Sequence, residues 1–125
     1  MRRRVEAAAV ARLGTLGDGQ VHLVPITFAI EGDSLYFAVD RKPKRTPDLR
    51  RLRNIAAHPA VAVLVDSYDD DWSRLWWVRL DGVAEVLPES EEGGRALTLL
   101  QERYPQYRDE PPPGPVVAIR IRRWT

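Results

Sequence analysis

From Arg74 to Val86 the chain alternates, with Trp76, Val78, Leu80, Ala84 and Val86 on one face and Trp77, Arg79, Asp81 and Glu85 on the other. Side chains of an extended strand point to opposite sides in turn, so this period of two predicts a long half-buried β-strand. Most of the chain reads the same way. Val10–Leu16 is apolar and stops at Gly17-Asp18-Gly19, a strong turn signal. Val21–Ile30 follows as one strand, with Val24, Ile26, Phe28 and Ile30 at period two, and Glu31-Gly32-Asp33-Ser34 turns into Leu35–Val39. Val61–Val65 is a short, fully apolar strand, and Val116–Arg123 sets Val117, Ile119 and Ile121 against Arg120 and Arg122.

Two segments break the alternation. Thr46-Pro47-Asp48 is a helix start, with Thr at the N-cap, Pro at the first helical position and an acid in the first turn. Leu49, Leu52, Ile55 and Ala56 then form an apolar stripe, with Arg50, Arg53 and Asn54 on the opposite side, and His58-Pro59 ends the helix. Ser90–Tyr104 is the second helix, with Ala96, Leu97 and Leu100 inward. About six strands in hairpin order with two short helices predict a mainly β fold, a closed antiparallel barrel.

The 125 residues suit a single domain over 1–125 with one core of its own. The absence of cysteine excludes disulfides, thiolate metal sites and cysteine nucleophiles, and fits a cytoplasmic location. Arg2-Arg3-Arg4 carries a signal peptide's charge but is followed only by a short alanine-rich patch, so no export signal is read. Apolar runs such as Val61–Val65 fall far below the ~20 residues of a membrane span.

The net charge of +1 conceals a local asymmetry. Arg41, Lys42, Lys44, Arg45, Arg50, Arg51 and Arg53 crowd one segment against Asp48 alone, while Asp66, Asp69, Asp70 and Asp71 form an acidic cluster. A nearly neutral protein with one basic patch suits a small anionic ligand better than nucleic acid. Lys42, Lys44 and Arg45 follow a strand, and Thr46 opens a helix whose N-terminus carries partial positive charge. Cations, a hydroxyl and free N–H groups then converge as a phosphate requires. The competing reading is a solvated basic loop and helix. Trp76 falls on the core face, whereas Trp77 points outward, toward an interface or a stacking partner. His22 and His58 belong to different elements and make no metal site. No Gly-x-Gly-x-x-Gly, P-loop, nucleophile elbow or His-Glu-x-x-His motif is present, and no catalytic residue is assigned.

Val21–Phe28, then Lys42-Pro43-Lys44-Arg45-Thr46 with Leu49–Asn54, then His58-Pro59, closely resemble the pyridoxamine-phosphate-oxidase-like superfamily. The block Leu64–Gly82, with Asp71-Trp72-Ser73-Arg74-Leu75-Trp76-Trp77 at its centre, resembles the deazaflavin (coenzyme F-420)-dependent branch of split β-barrel reductases. The resemblance implies a split β-barrel homodimer with two cofactor sites at the subunit interface. It implies that His22, Leu23, Val24, Pro25 and Ile26 run along the cofactor ring, partly through backbone contacts, with Ala38 and Val39 near the ring or ribityl chain. Lys44, Arg45 and Thr46 match the phosphate-binding step, with Lys42 and Arg50 nearby. Trp77, with Arg79 beside it, matches the contact made by the second subunit. The chain departs from true pyridoxamine phosphate oxidases in lacking their Arg-x-His motif; it ends Ile121-Arg122-Arg123-Trp124-Thr125, which argues against vitamin B6 oxidation and leaves room for a further tail.

The expected function is hydride transfer from reduced F-420 to an unsaturated or quinone-like small molecule, with His22 the only candidate proton donor beside water. The alternatives are the same fold with FMN, and a carrier of F-420 without turnover.

Overall fold

The computed structural model describes residues 1–39 and 47–125, with the side chains of Pro47, Asp48 and Leu49 also left aside. Seven strands form one antiparallel sheet: β1 Ala11–Gly17, β2 Gln20–Ile26, β3 Ala29–Glu31, β4 Ser34–Ala38, β5 Ala60–Ser67, β6 Trp76–Val86 and β7 Val116–Trp124. The order across the sheet is β2-β1-β5-β6-β7-β4-β3. Among the described residues four helices accompany it, α1 Arg2–Ala7, α2 Pro47–Ala57, α3 Glu91–Arg103 and α4 Pro105–Asp109. None of them is long and apolar enough to cross a membrane.

The strand order forces the sheet to roll. β2 and β3 are its two edges, yet only Thr27 and Phe28 separate them in sequence. Six interstrand steps would put the edges of a flat sheet about 29 Å apart. The three Cα steps from Ile26 to Ala29 span at most about 11 Å. The sheet therefore curls into a barrel split at Thr27-Phe28. Phe28, Leu13, Leu35, Phe37, Val63, Val65, Leu80, Val117 and Ile119 belong to the core that fills it.

The segment Val21–Ile30 is thus two strands rather than the single one its alternation suggests. What breaks it lies far away in sequence. Tyr104 Oη accepts from Phe28 N–H at 3.0 Å and donates to the Ala9 carbonyl at 2.8 Å, so a side chain replaces the missing ladder partner. Thr27 Oγ1 and Tyr107 Oη lie 2.9 Å apart in the same seam. Arg103, on the same stretch of chain, donates to the carbonyls of Glu6 and Ala8.

Asn54 does not sit on the solvent side of α2. It is buried, and its Nδ2 donates to Thr15 Oγ1 at 3.2 Å, which provides the partner that a buried amide needs. Gly17 makes room for it: a Cβ there would stand 1.9 Å from Asn54 Oδ1. Ala56, expected inward, is exposed, while Ile55 is buried. The turn after Gly17 has positive φ at both Asp18 (52°) and Gly19 (72°), the backbone of a tight two-residue hairpin. The long strand begins at Trp76, because Asp71 caps a single 3-10 turn over Trp72–Arg74. Helix α1 had no sequence signal beyond a lone apolar residue, Val5, which is fully buried.

Candidate functional site

The barrel's outer surface is divided in two. On β4 and β7 the outward residues Tyr36, Ala38 and Ala118 are buried beneath α3 and α4, where Ala96, Leu100 and Tyr107 meet them. On β2, β1, β5 and β6 no helix among the described residues covers the outward side chains, and several are large and apolar: Val21 and Leu23 are each 72% exposed, with Leu16, Leu64 and Trp77 also open.

Register builds this bare face row by row. Leu23 lies opposite Gly14, Gly14 opposite Ala62, and Ala62 opposite Asp81. The next row runs Pro25, Arg12, Leu64, Arg79, and Trp77 stands beyond it, opposite Asp66. Val61–Val65 read as apolar throughout for this reason. Val61, Val63 and Val65 face the core, while Leu64 faces outward onto an apolar surface.

At the Trp77 end lies a groove of about 420 Å³ lined by Leu64, Leu75, Trp76, Trp77, Tyr68 and Asp66 among others. The acidic loop beside it is locally braced. Asp66 pairs with Arg12 at 3.2 Å, and Asp69 Oδ1 accepts from Asp71 N–H at 2.8 Å. Asp71 Oδ1 accepts from Ser73 Oγ–H at 2.7 Å and Ser73 N–H at 3.1 Å, bonds that hold its carboxyl below the ordinary value. Trp72 Nε1 donates to Tyr68 Oη at 3.4 Å.

The residues expected to hold a ligand are distributed unevenly. On β2, Leu23 and Pro25 are exposed, His22 and Val24 half-buried, and Ile26 buried. Val24 and Ile26 belong with the barrel core, so toward an outside ligand they can offer only backbone, on an edge strand with one side of its ladder unused. Ala38 is buried against Leu100 and Tyr107. Val39 is fully buried and bonded through its backbone to Pro115 O and Gly114 N–H, both at 3.0 Å. Arg50 and Arg53 are exposed on α2, and Arg51 lies with its guanidinium 5.7 Å from the Phe37 ring centroid. Arg79 is exposed and pairs with Asp81 at 3.2 Å. Lys42, Lys44, Arg45 and Thr46 lie outside the described residues. β2 is one end of the strand order, and β4 lies next to the other end, β3, so the two strands flank the seam from either side. Sequence reasoning missed Tyr68 and Leu75 as groove walls and Tyr104 as the seam's fastener.

An antiparallel barrel split at one corner, with one half helix-covered and the other bare, is the split β-barrel fold. The family model for pyridoxamine 5'-phosphate oxidase matches residues 1–125, and the chain belongs to that family. Among solved structures it is similar to a FAD-binding protein from Mesorhizobium loti (24% identity, 98% of this chain and 88% of that one, TM-score 0.74). It is also similar to a conserved hypothetical protein from Mycobacterium tuberculosis (26% identity, 98% and 78%, TM-score 0.78). A third likeness is to a haem storage protein from Vibrio cholerae (13% identity, 98% and 87%, TM-score 0.78). No curated protein matches the chain.

Proposed function

We propose that this chain is a cytoplasmic, homodimeric reductase that uses reduced coenzyme F-420, with two sites built where the bare faces of two copies meet. The observation that carries the reading is that bare face itself. It offers an apolar floor at Leu23, Pro25 and Leu64, an unpaired strand edge at β2 and an exposed indole at Trp77. A flat heteroaromatic ring needs an apolar plane to lie on, an aromatic to stack with and backbone groups for its polar edge. These residues fit such a ring.

The cofactor's anionic part would go to Lys42, Lys44, Arg45 and Thr46, at the entrance to α2, with the exposed Arg50 and Arg53 further along that helix. The bound cofactor supplies the hydride. The chain's own task is to orient the ring, keep water from it and fix the phosphate. Several cations in sequence favour F-420, whose phosphate is followed by further carboxylates, over FMN, which ends at its phosphate.

The test is an equilibrium titration of the purified protein with F-420 and with FMN, followed by visible absorbance. F-420 should bind more tightly. Lys44→Ala or Arg45→Ala should cost about 1.5–3 kcal/mol of cofactor affinity, the scale of hydrogen bonds to charged groups. Arg50→Ala should weaken F-420 more than FMN. Sedimentation at micromolar concentration should give a dimer, and a monomer that still binds cofactor tightly would remove the shared site. FMN in the same fold is the second reading, to which the likeness to a FAD-binding protein lends support only as far as a flavin goes, and tighter FMN binding would put it first.

A further inference from the structure

We infer that Pro25 sets the choice between a deazaflavin and a flavin, by withholding a backbone donor that only the flavin can use. This rests on the proposed cofactor site and deepens it. The two kinds of ring differ where the hydride is carried, at position 5. A deazaflavin has a C–H there, and oxidised FMN has a nitrogen with a free lone pair.

The register of β2 decides which backbone groups can meet such a ring. Its hairpin with β1 closes on Gly17 and Gln20 through a two-residue turn. That turn ends in a pair that exchanges both hydrogen bonds, and the two kinds of pair then alternate along the ladder. Gln20, His22, Val24 and Ile26 therefore spend their N–H and C=O groups on β1. Val21, Leu23 and Pro25, all exposed, turn theirs to the other side, where no described strand pairs with β2. Val21 and Leu23 each offer a donor on that free edge. Pro25 offers only its carbonyl, and β1 loses nothing by the missing N–H.

The blank position falls at the end of the site where hydride has to leave. Pro25 shares its row with Arg12, Leu64 and Arg79, and Leu64 is a wall of the groove of about 420 Å³ that can hold an acceptor. The Leu23 row, with Gly14, Ala62 and Asp81, supplies none of that groove's described lining. Ring position 5 must face the acceptor, so it belongs at the Pro25 end. A flavin N5 held there gives up water and gains no N–H, whereas a C–H needs neither. The rival role for this proline is to keep other strands off the edge.

The probes are FMN and 5-deaza-FMN, which share one phosphate tail and differ only at position 5. Each is titrated against the whole protein by visible absorbance and tryptophan quenching. The parent chain should bind 5-deaza-FMN about five- to tenfold more tightly, the scale of one acceptor left unpaired. Pro25→Ala and Pro25→Val both restore an N–H while differing in apolar area. Both should erase the preference by tightening FMN alone. By NMR, the new amide at position 25 should exchange rapidly in the free variant and become protected by FMN but not by 5-deaza-FMN. Equal binding by the parent chain, or a preference that survives both substitutions, overturns the inference and leaves Pro25 as an edge guard. Opposite shifts in the two variants assign the effect to apolar area and overturn it too. F-420 titrated in the same preparation keeps the two readings apart. F-420 bound while the two probes bind equally fells this inference alone, and no binding of any of the three fells both. FMN bound more tightly than F-420, with the preference for 5-deaza-FMN intact, fells the F-420 reading while the selectivity of Pro25 stands.

Discussion

The two halves of the barrel wall share one backbone rule and have opposite outer surfaces. On β4 and β7 the outward residues Ala38 and Ala118 are small, with Tyr36, Val116 and Arg120 beside them, and α3 settles against this surface. On β2, β1, β5 and β6 they include Leu23, Leu16, Leu64 and Trp77, and no helix covers them. Small residues let a helix approach a sheet closely, whereas large exposed ones make a surface that costs free energy in water until another molecule covers it. The comparison separates outward residues that a helix covers from outward residues that stay open to solvent. The helix-covered half also carries the wall's densest polar network. Arg120 on β7 reaches Glu92 of α3 through two bonds of 2.5 and 2.9 Å, and Glu85 of β6 at 2.7 Å.

The sharpest way to break the comparison is to truncate one leucine in each half. Leu100 is fully buried under the covered half, and Leu23 is exposed on the bare half. Leu100→Ala should destabilise the chain by about 2–5 kcal/mol, the range for buried leucines. Leu23→Ala should stay within about 0.5 kcal/mol, as exposed substitutions do. Urea unfolding of the two variants at low concentration measures both. Comparable losses would mean that the bare face is part of the folding core.

The period-two strands were legible because each carries its own signal. Trp77's exposure followed directly from alternation with Trp76 and Val78. The break at Thr27-Phe28 was not, since Val24, Ile26, Phe28 and Ile30 keep their alternation through it and the breaking group is Tyr104, 76 residues away. Asn54 was misplaced because a polar residue in a helix reads as solvent-facing, and nothing local announces that Gly17 and Thr15 will receive it. The groove was half-legible: Trp77 could be named, whereas Leu64 looked like one more core residue in an apolar run. Of the ligand residues read from the sequence, Leu23, Pro25 and Trp77 lie on the bare face and Ala38 lies under the covered one.

The seam between the halves gives a second, smaller effect. Tyr104→Phe keeps the ring and its edge-on packing against Tyr107, at 5.8 Å between centroids, and removes only the hydroxyl. Phe28 N–H and the Ala9 carbonyl then lose their partner, at a cost of about 1–3 kcal/mol for groups left unpaired. Hydrogen exchange should show faster exchange at Phe28 before any change along β5 or β6. Uniform loss of protection across the sheet would show that the two halves open together.

The smallest expected effect concerns acid, and it belongs to the covered half. Glu92 is held down to about 2 from 4.5 by the paired bonds from Arg120, with Tyr36 Oη donating at 2.7 Å as well. A carboxylate whose folded value lies below its unfolded one stabilises the fold above about pH 4.5, and that stabilisation drains away as pH falls toward 2. The side chain is 37% exposed, so solvent screening reduces the effect to about 1 kcal/mol or less. Glu92→Gln should lower the urea midpoint at pH 6, and the gap from the parent chain should narrow by pH 3 because the unfolded parent binds a proton at Glu92 there while the folded parent still holds it ionised. Added salt should shrink the pH 6 gap as well. A gap that stays constant from pH 6 to pH 3 would mean that Glu92 contributes through packing alone, and the clasp between α3 and the sheet would owe nothing to charge.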